Sequence, residues 1–67
     1  MQLIINGKIC TFDVSLKVVG DLVPLLKLEG KRFAIELNGE IVPRSQFLQM
    51  PLKDDDTLEI VGAVGGG

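Results

Sequence analysis

Three features of this chain predict an α+β fold, a mixed sheet of about five strands with one main helix packed across it. Two Asn-Gly dipeptides, Asn6-Gly7 and Asn38-Gly39, each follow a short apolar run and precede another. This pair of residues readily takes the positive φ angles of a two-residue hairpin turn. Between the two hairpins the apolar residues stop alternating and recur at spacings of three and four, the change that separates strands from an amphipathic helix. A last run of strand-forming residues then leads into the glycine-rich end, Val64-Gly65-Gly66-Gly67.

Gln2 to Ile5 is rich in aliphatic and β-branched residues and runs directly into Asn6-Gly7. Lys8 to Val14 reads as the return strand, with Cys10, Phe12 and Val14 inward and Lys8, Thr11 and Asp13 mostly outward, while Ile9 breaks the alternation. Unpaired cysteine is among the most buried residue types and nothing basic adjoins Cys10 in sequence, so it reads as packing rather than as a reactive thiol. From Val18 to Leu28 the positions Val18, Val19, Leu22, Val23, Leu25 and Leu26 form the apolar stripe of a helix lying on a sheet. Ser15 or Lys17 precedes it, and Asp21 in the first turn and Lys27 near the end suit the helix dipole. Pro24 conflicts with this pattern. Inside a regular helix it removes the bond back to residue 20 and clashes there, a cost of about 3 kcal/mol, so a kink or early ending is expected between Gly20 and Pro24. Glu29-Gly30-Lys31 supplies a glycine C-cap.

Phe33, Ile35 and Leu37 alternate inward, and Asn38-Gly39 turns the chain into Glu40-Ile41-Val42. Pro43 to Gln49 is expected to be a short irregular or helical segment, with Pro43 preset for a first helical position and Phe47 and Leu48 pinned to the core. Asp54-Asp55-Asp56 reads as a turn rather than a metal site, because a divalent cation needs further spaced oxygen ligands and the run lacks an EF-hand pattern. Leu58 to Val61 is the last strand. This order of strands, helix and hairpins is that of a β-grasp (ubiquitin-like) fold, here one domain over residues 1–62 followed by a flexible tail over 63–67.

Composition narrows the function. A chain of 67 residues buries only about 60% of its unfolded surface, and a core of this size rarely supplies more than about 3–5 kcal/mol without staples. The single cysteine makes no internal disulfide, and a chain without histidine lacks the usual metal ligand and general base. The reading is therefore of a protein that is not an enzyme, with no catalytic residue, bound metal or cofactor of its own. A net charge of -2, scattered Lys and Arg, and only three aromatic residues argue against nucleic acid. Met1 to Asn6 has no basic leader pattern, and no apolar run approaches the roughly 20 residues needed to span a bilayer, so a cytoplasmic monomer away from membranes is expected. The tail is what remains to carry chemistry. Glycine has no Cβ and lets a partner's walls approach the main chain closely, so Val64, Gly65 and Gly66 read as a threading device for the carboxylate of Gly67.

At this point the chain resembles the ubiquitin-like sulfur carriers, and closely the ThiS family of thiamine thiazole biosynthesis. The likeness rests on Met1 to Gly7, on Ile35-Glu36-Leu37-Asn38-Gly39-Glu40-Ile41-Val42-Pro43-Arg44, and on Asp56 to Val61 with Gly65-Gly66-Gly67. Pro24 departs from it, falling where family members typically carry an uninterrupted helix. The resemblance implies that the first and last strands are parallel neighbours at the sheet centre. It also implies that a ThiF-type adenylyltransferase, using ATP and magnesium, activates Gly67 as an acyl-adenylate. A persulfide sulfur donor then displaces AMP to leave a thiocarboxylate, whose sulfur passes to thiazole synthase (ThiG-type). Outward residues near the tail, Val61, Val64 and Ile41, with Arg44 as a charged contact, are the docking candidates. Alternatives are a MoaD-like carrier for molybdopterin synthesis, a ubiquitin-like protein modifier, and an interaction module with an inert tail.

Overall fold

A computed structural model describes residues 1–13 and 15–62. Five strands, β1 (Gln2–Ile5), β2 (Lys8–Thr11), β3 (Phe33–Leu37), β4 (Glu40–Val42) and β5 (Thr57–Gly62), form one mixed sheet in the order β2-β1-β5-β3-β4. β1 and β5 run parallel at its centre, in register through Ile4↔Thr57 and Ile5↔Leu58, and every other pairing is antiparallel. Both hairpins form on their Asn-Gly dipeptides. Asn6 and Gly7 have φ of 51° and 82°, and Asn38 and Gly39 have 51° and 90°, the two positive values of a type I′ turn whose twist matches the strands it joins. β2 is shorter than expected and ends at Thr11, after which Phe12 N–H donates to Met1 O at 2.9 Å. Cys10 faces the core opposite Leu3 and is half-buried, Ile9 turns to the other face, and Val14 lies outside the described residues.

One face of the sheet contributes Leu3, Ile5, Ile35, Val42 and Leu58 to the core, and Leu16, Val19, Leu22, Phe47 and Leu52 cover it. The helix expected over Val18 to Leu28 is broken, as Pro24 requires: a 3-10 turn, Val19–Asp21, is followed by a single turn of α-helix, α1 (Leu22–Leu25). Starting α1 at Leu22 leaves Pro24 in its first turn, where backbone N–H groups have no intrahelical acceptor, so the missing donor is harmless there. The end of the element corrects the expectation. Leu26 is the C-cap and Lys27, at φ 57°, occupies the left-handed position, with Lys27 N–H on Pro24 O (3.2 Å) and Leu28 N–H on Val23 O (2.8 Å). That is a Schellman closure. Lys27 therefore caps the helix rather than lying in its last turn, and Gly30 (φ 74°) serves a separate turn before β3. At the other end Val18, not Ser15 or Lys17, is the N-cap, and the Asp21 carboxylate reaches back to accept the N–H groups of Lys17 (2.9 Å) and Val18 (3.0 Å).

The segment after β4 is a 3-10 turn, Arg44–Gln46, with Pro43 extended at its N-cap rather than inside it. Phe47 is buried, but Leu48 is 79% exposed, against expectation. The reason is that Phe47 O accepts Gly20 N–H and Met50 O accepts Val19 N–H, both at 2.9 Å, which fixes the segment flat against the 3-10 turn and leaves Leu48 outside. The approach is close enough that a Cβ on Gly20 would stand 2.9 Å from Leu48 Cδ2. Asp54 to Asp56 form a turn fastened to β1: Asp54 Oδ1 accepts Gln2 N–H (3.1 Å), Asp55 Oδ1 accepts Gln2 Nε2 (3.0 Å), and Asp56 Oδ2 accepts Lys53 N–H (2.8 Å).

Candidate functional site at the root of the tail

β5 carries the chain from the centre of the sheet to Gly62, which lies opposite Phe33. Val64, Gly65, Gly66 and Gly67, the threading and modified residues expected from sequence, lie outside the described residues, so the site is built here from its root. Along β5 the side chains of Leu58 and Ile60 enter the covered face, and Thr57, Glu59 and Val61 point to the open one.

Two of the docking candidates share that open face. Ile41 is in register with Glu36, and Val61 with Ala34, neighbouring outward positions of β3, and the two side chains are 67% and 57% exposed. Between them Glu36 stands directly opposite Glu59. Like charges facing across adjacent strands repel, and neither carboxylate takes part in a side-chain hydrogen bond of the described residues. The open face of β3, β4 and β5 is thus apolar with an acidic centre.

Arg44 is placed elsewhere. Its Nη2 donates to Lys31 O at 2.9 Å, and its guanidinium lies over the Phe33 ring, 4.4 Å from the centroid. Phe33 in turn stacks on Phe47, with centroids 6.0 Å apart and planes 26° apart. Phe33 belongs to the covered face, so Arg44 flanks the tail root from the side opposite Ile41 and Val61. Lys31, Arg32 and Arg44 gather around the end of β3 that meets Gly62, where Arg32 O stands 3.8 Å from the position of a Gly62 Cβ.

The residue that sequence reasoning used only as a turn former is Asn6. Its Oδ1 accepts Ile60 N–H at 2.8 Å and its Nδ2 donates to Ile60 O at 3.3 Å. Asn38 acts likewise at the start of the strand, its Oδ1 accepting Thr57 N–H (3.0 Å) and its Nδ2 donating to Asp56 Oδ1 (3.0 Å). No local signal marks these contacts, because each joins residues far apart in the chain. A shallow depression of about 330 Å³, lined by Met1, Asp13, Ser15, Leu16 and Asp54, lies at the opposite end of β1 from Asn6. Among the described residues no group of three or more His, Cys, Asp or Glu is arranged to hold a metal ion.

A β-grasp head whose central strand leads into a glycine end is the architecture of the ubiquitin-like carriers. The ThiS family model matches residues 3–67, and the chain belongs to that family. It is 35% identical to the sulfur carrier protein ThiS of Bacillus subtilis over 63 residues, covering 94% of this chain and 96% of that protein. The crystal structure of the thiamine biosynthesis protein ThiS from Geobacter metallireducens superposes with a TM-score of 0.82 at 37% identity, over the full length of both chains. A thiazole synthase from Paramagnetospirillum magneticum is 42% identical over 67 residues, and the chain spans 20% of that protein's length.

Proposed function

We infer that the chain is a sulfur carrier of thiamine biosynthesis and that its reactive group is the Gly67 carboxylate. The observation that carries this reading is the parallel β1-β5 centre, which directs the last strand of a carrier fold outward into the glycine end of a chain matched along its length to ThiS proteins. A carboxylate resists sulfur nucleophiles because its charge and poor leaving group oppose attack. Adenylation removes both obstacles: a carboxylate oxygen bonds the α-phosphorus of ATP, pyrophosphate departs, and the acyl carbon gains AMP as a leaving group. In this reading a ThiF-type enzyme catalyses that step with magnesium. The terminal sulfur of a persulfide then bonds the acyl carbon as AMP leaves, and a thiol reduces the resulting acyl disulfide to the thiocarboxylate. The sulfur then passes to thiazole synthase (ThiG-type), a partnership supported by a thiazole synthase that itself contains a stretch similar to this chain. In this reading the work is done in the cytoplasm, where ATP is supplied.

Ordering a tail residue costs about 1–2 kcal/mol, most for glycine, so the head must bind firmly enough to offset the threading. Val61 at the root and Ile41 further back on the same face supply exposed apolar area for that purpose, and Arg44 holds the root's other flank. The test is intact mass. With ATP, activating enzyme and a sulfur donor, the protein should gain about 16 Da, one oxygen exchanged for sulfur. Deleting Gly67 should abolish the gain while leaving the fold unchanged by circular dichroism. Sulfur uptake by the Gly67-deleted protein would overturn the assignment of the reactive group.

A further inference from the structure

β1 pairs with β5 only as far as its own turn. Its last backbone bond to β5 is Asn6 N–H on Leu58 O at 2.9 Å, and the chain then folds away through Gly7. The next rung would need a peptide group to meet Ile60, and the Asn6 side-chain amide supplies one: a carbonyl for Ile60 N–H at 2.8 Å and an N–H for Ile60 O at 3.3 Å. The carboxamide has the donor and acceptor of a backbone peptide, so one side chain stands in for a further residue of strand. β5 is thereby held from both sides as far as Ile60, with β3 on its other edge in register through Ala34↔Val61 and Phe33↔Gly62. Glycine at position 6 would make the same type I′ turn, since it reaches positive φ without strain, but would leave that rung empty.

We propose that Asn6 is a positioning residue for sulfur loading: its amide clamp on Ile60 fixes the point and direction at which the tail leaves the sheet, and so sets how readily the tail enters the activating enzyme. This rests on the sulfur-carrier reading of the tail. Without the clamp β5 is held by β3 alone from Ile60 onward, and the enzyme must order a longer stretch on every encounter, which weakens productive binding and leaves the chemistry of the bound tail alone.

Three variants isolate the clamp. Asn6→Gly keeps the turn and removes both bonds, Asn6→Asp keeps the turn and the acceptor but sets a carboxylate oxygen against Ile60 O, and Asn38→Gly makes the same deletion at the far end of β5, away from the tail. Two measurements are made on each. In amide hydrogen exchange, Asn6→Gly should speed exchange at Ile60 by about tenfold, equivalent to about 1.4 kcal/mol of opening free energy, with Leu58 unchanged. In thiocarboxylate formation with an adenylyltransferase of the ThiF type, ATP and a persulfide donor, Asn6→Gly should raise KM for the carrier about three- to tenfold with kcat within about twofold of wild type. Asn6→Asp should raise it less, and Asn38→Gly should leave KM unchanged even though it lowers stability. Unchanged exchange at Ile60 would show that the clamp does not exist. Faster exchange with an unmoved KM, or an equal rise in KM for Asn38→Gly, would overturn the positioning role, the latter by showing that only global stability matters. A wild-type protein that gains no sulfur while Ile60 exchange responds to Asn6→Gly would refute the carrier reading, and the positioning role with it, while leaving the clamp as structure.

Discussion

Arg44 was a docking candidate by sequence, and the structure gives it an internal task whose loss is measurable. Replacing it with alanine removes the bond to Lys31 O, worth about 1 kcal/mol net, and the contact with the Phe33 face, worth about 0.5–1 kcal/mol at an exposed site. The expected loss is about 1–2 kcal/mol. For a chain whose whole stability is expected near 3–5 kcal/mol, that is roughly a fifth to two thirds. Urea unfolding followed by circular dichroism reads it directly: with a slope near 1 kcal/mol per molar for so small a domain, the midpoint should fall by roughly 1–2 M. Arg44→Lys keeps the charge without the planar fork and should recover less than half of the loss. A double-mutant cycle with Phe33→Leu should return a coupling of about 0.5–1 kcal/mol. An Arg44→Ala protein within about 0.3 kcal/mol of wild type, or a cycle with no coupling to Phe33, would refute the assignment and return Arg44 to the list of free surface charges.

Two further outcomes follow from the charges of the fold. Glu36→Lys replaces a facing pair of carboxylates with an opposite-charge pair and should stabilise the protein by about 0.2–1 kcal/mol in urea unfolding, a gain that shrinks when the same titration is run in 1 M salt. A gain that salt leaves intact would locate the effect in packing instead. Asp21 is held below its ordinary value of 3.8 first by the Lys17 N–H, then by the Val18 N–H, against a desolvation that raises it, with the nearby Lys17 charge assisting. A depressed carboxylate contributes stability that is full above its unfolded value and lost as pH falls through the folded one. Wild type should therefore lose stability more steeply than Asp21→Asn below about pH 3.8, and parallel acid-unfolding curves for the two proteins would contradict this.

Which parts of the fold could be read from sequence follows from the range of the interactions that make them. The hairpins could be read because an Asn-Gly dipeptide sets its own φ angles without help from the rest of the chain. The interruption at Pro24 could be read for the same reason, since a missing N–H is a local fact. Where the helix would end could not. Gly30 looked like the cap, yet the backbone of Lys27 takes the left-handed position three residues earlier, because the closure joins Leu28 to Val23 at the edge of the core. Hydrophobicity alone does not place Leu48, since backbone bonds to Gly20 and Val19 decide which of two adjacent apolar residues turns inward. At the candidate site, the open-face pair Ile41 and Val61 followed from strand alternation. Arg44 on Phe33 and Asn6 on Ile60 depend on elements brought together only by the completed sheet.

The parallel pairing of β1 with β5 also bears on how the protein comes into being. The second residue of the chain and the acidic turn before the last strand are fastened together, and the strand between β1 and β3 is the last to be synthesised. Until residues 57–62 leave the ribosome there is no sheet centre, only two separate hairpins, and such pairs are marginal in water. A truncated product therefore has no assembled surface for a partner to recognise. Foldedness itself certifies that synthesis has passed the last strand, so a partner that grips the head meets only chains made at least as far as Gly62.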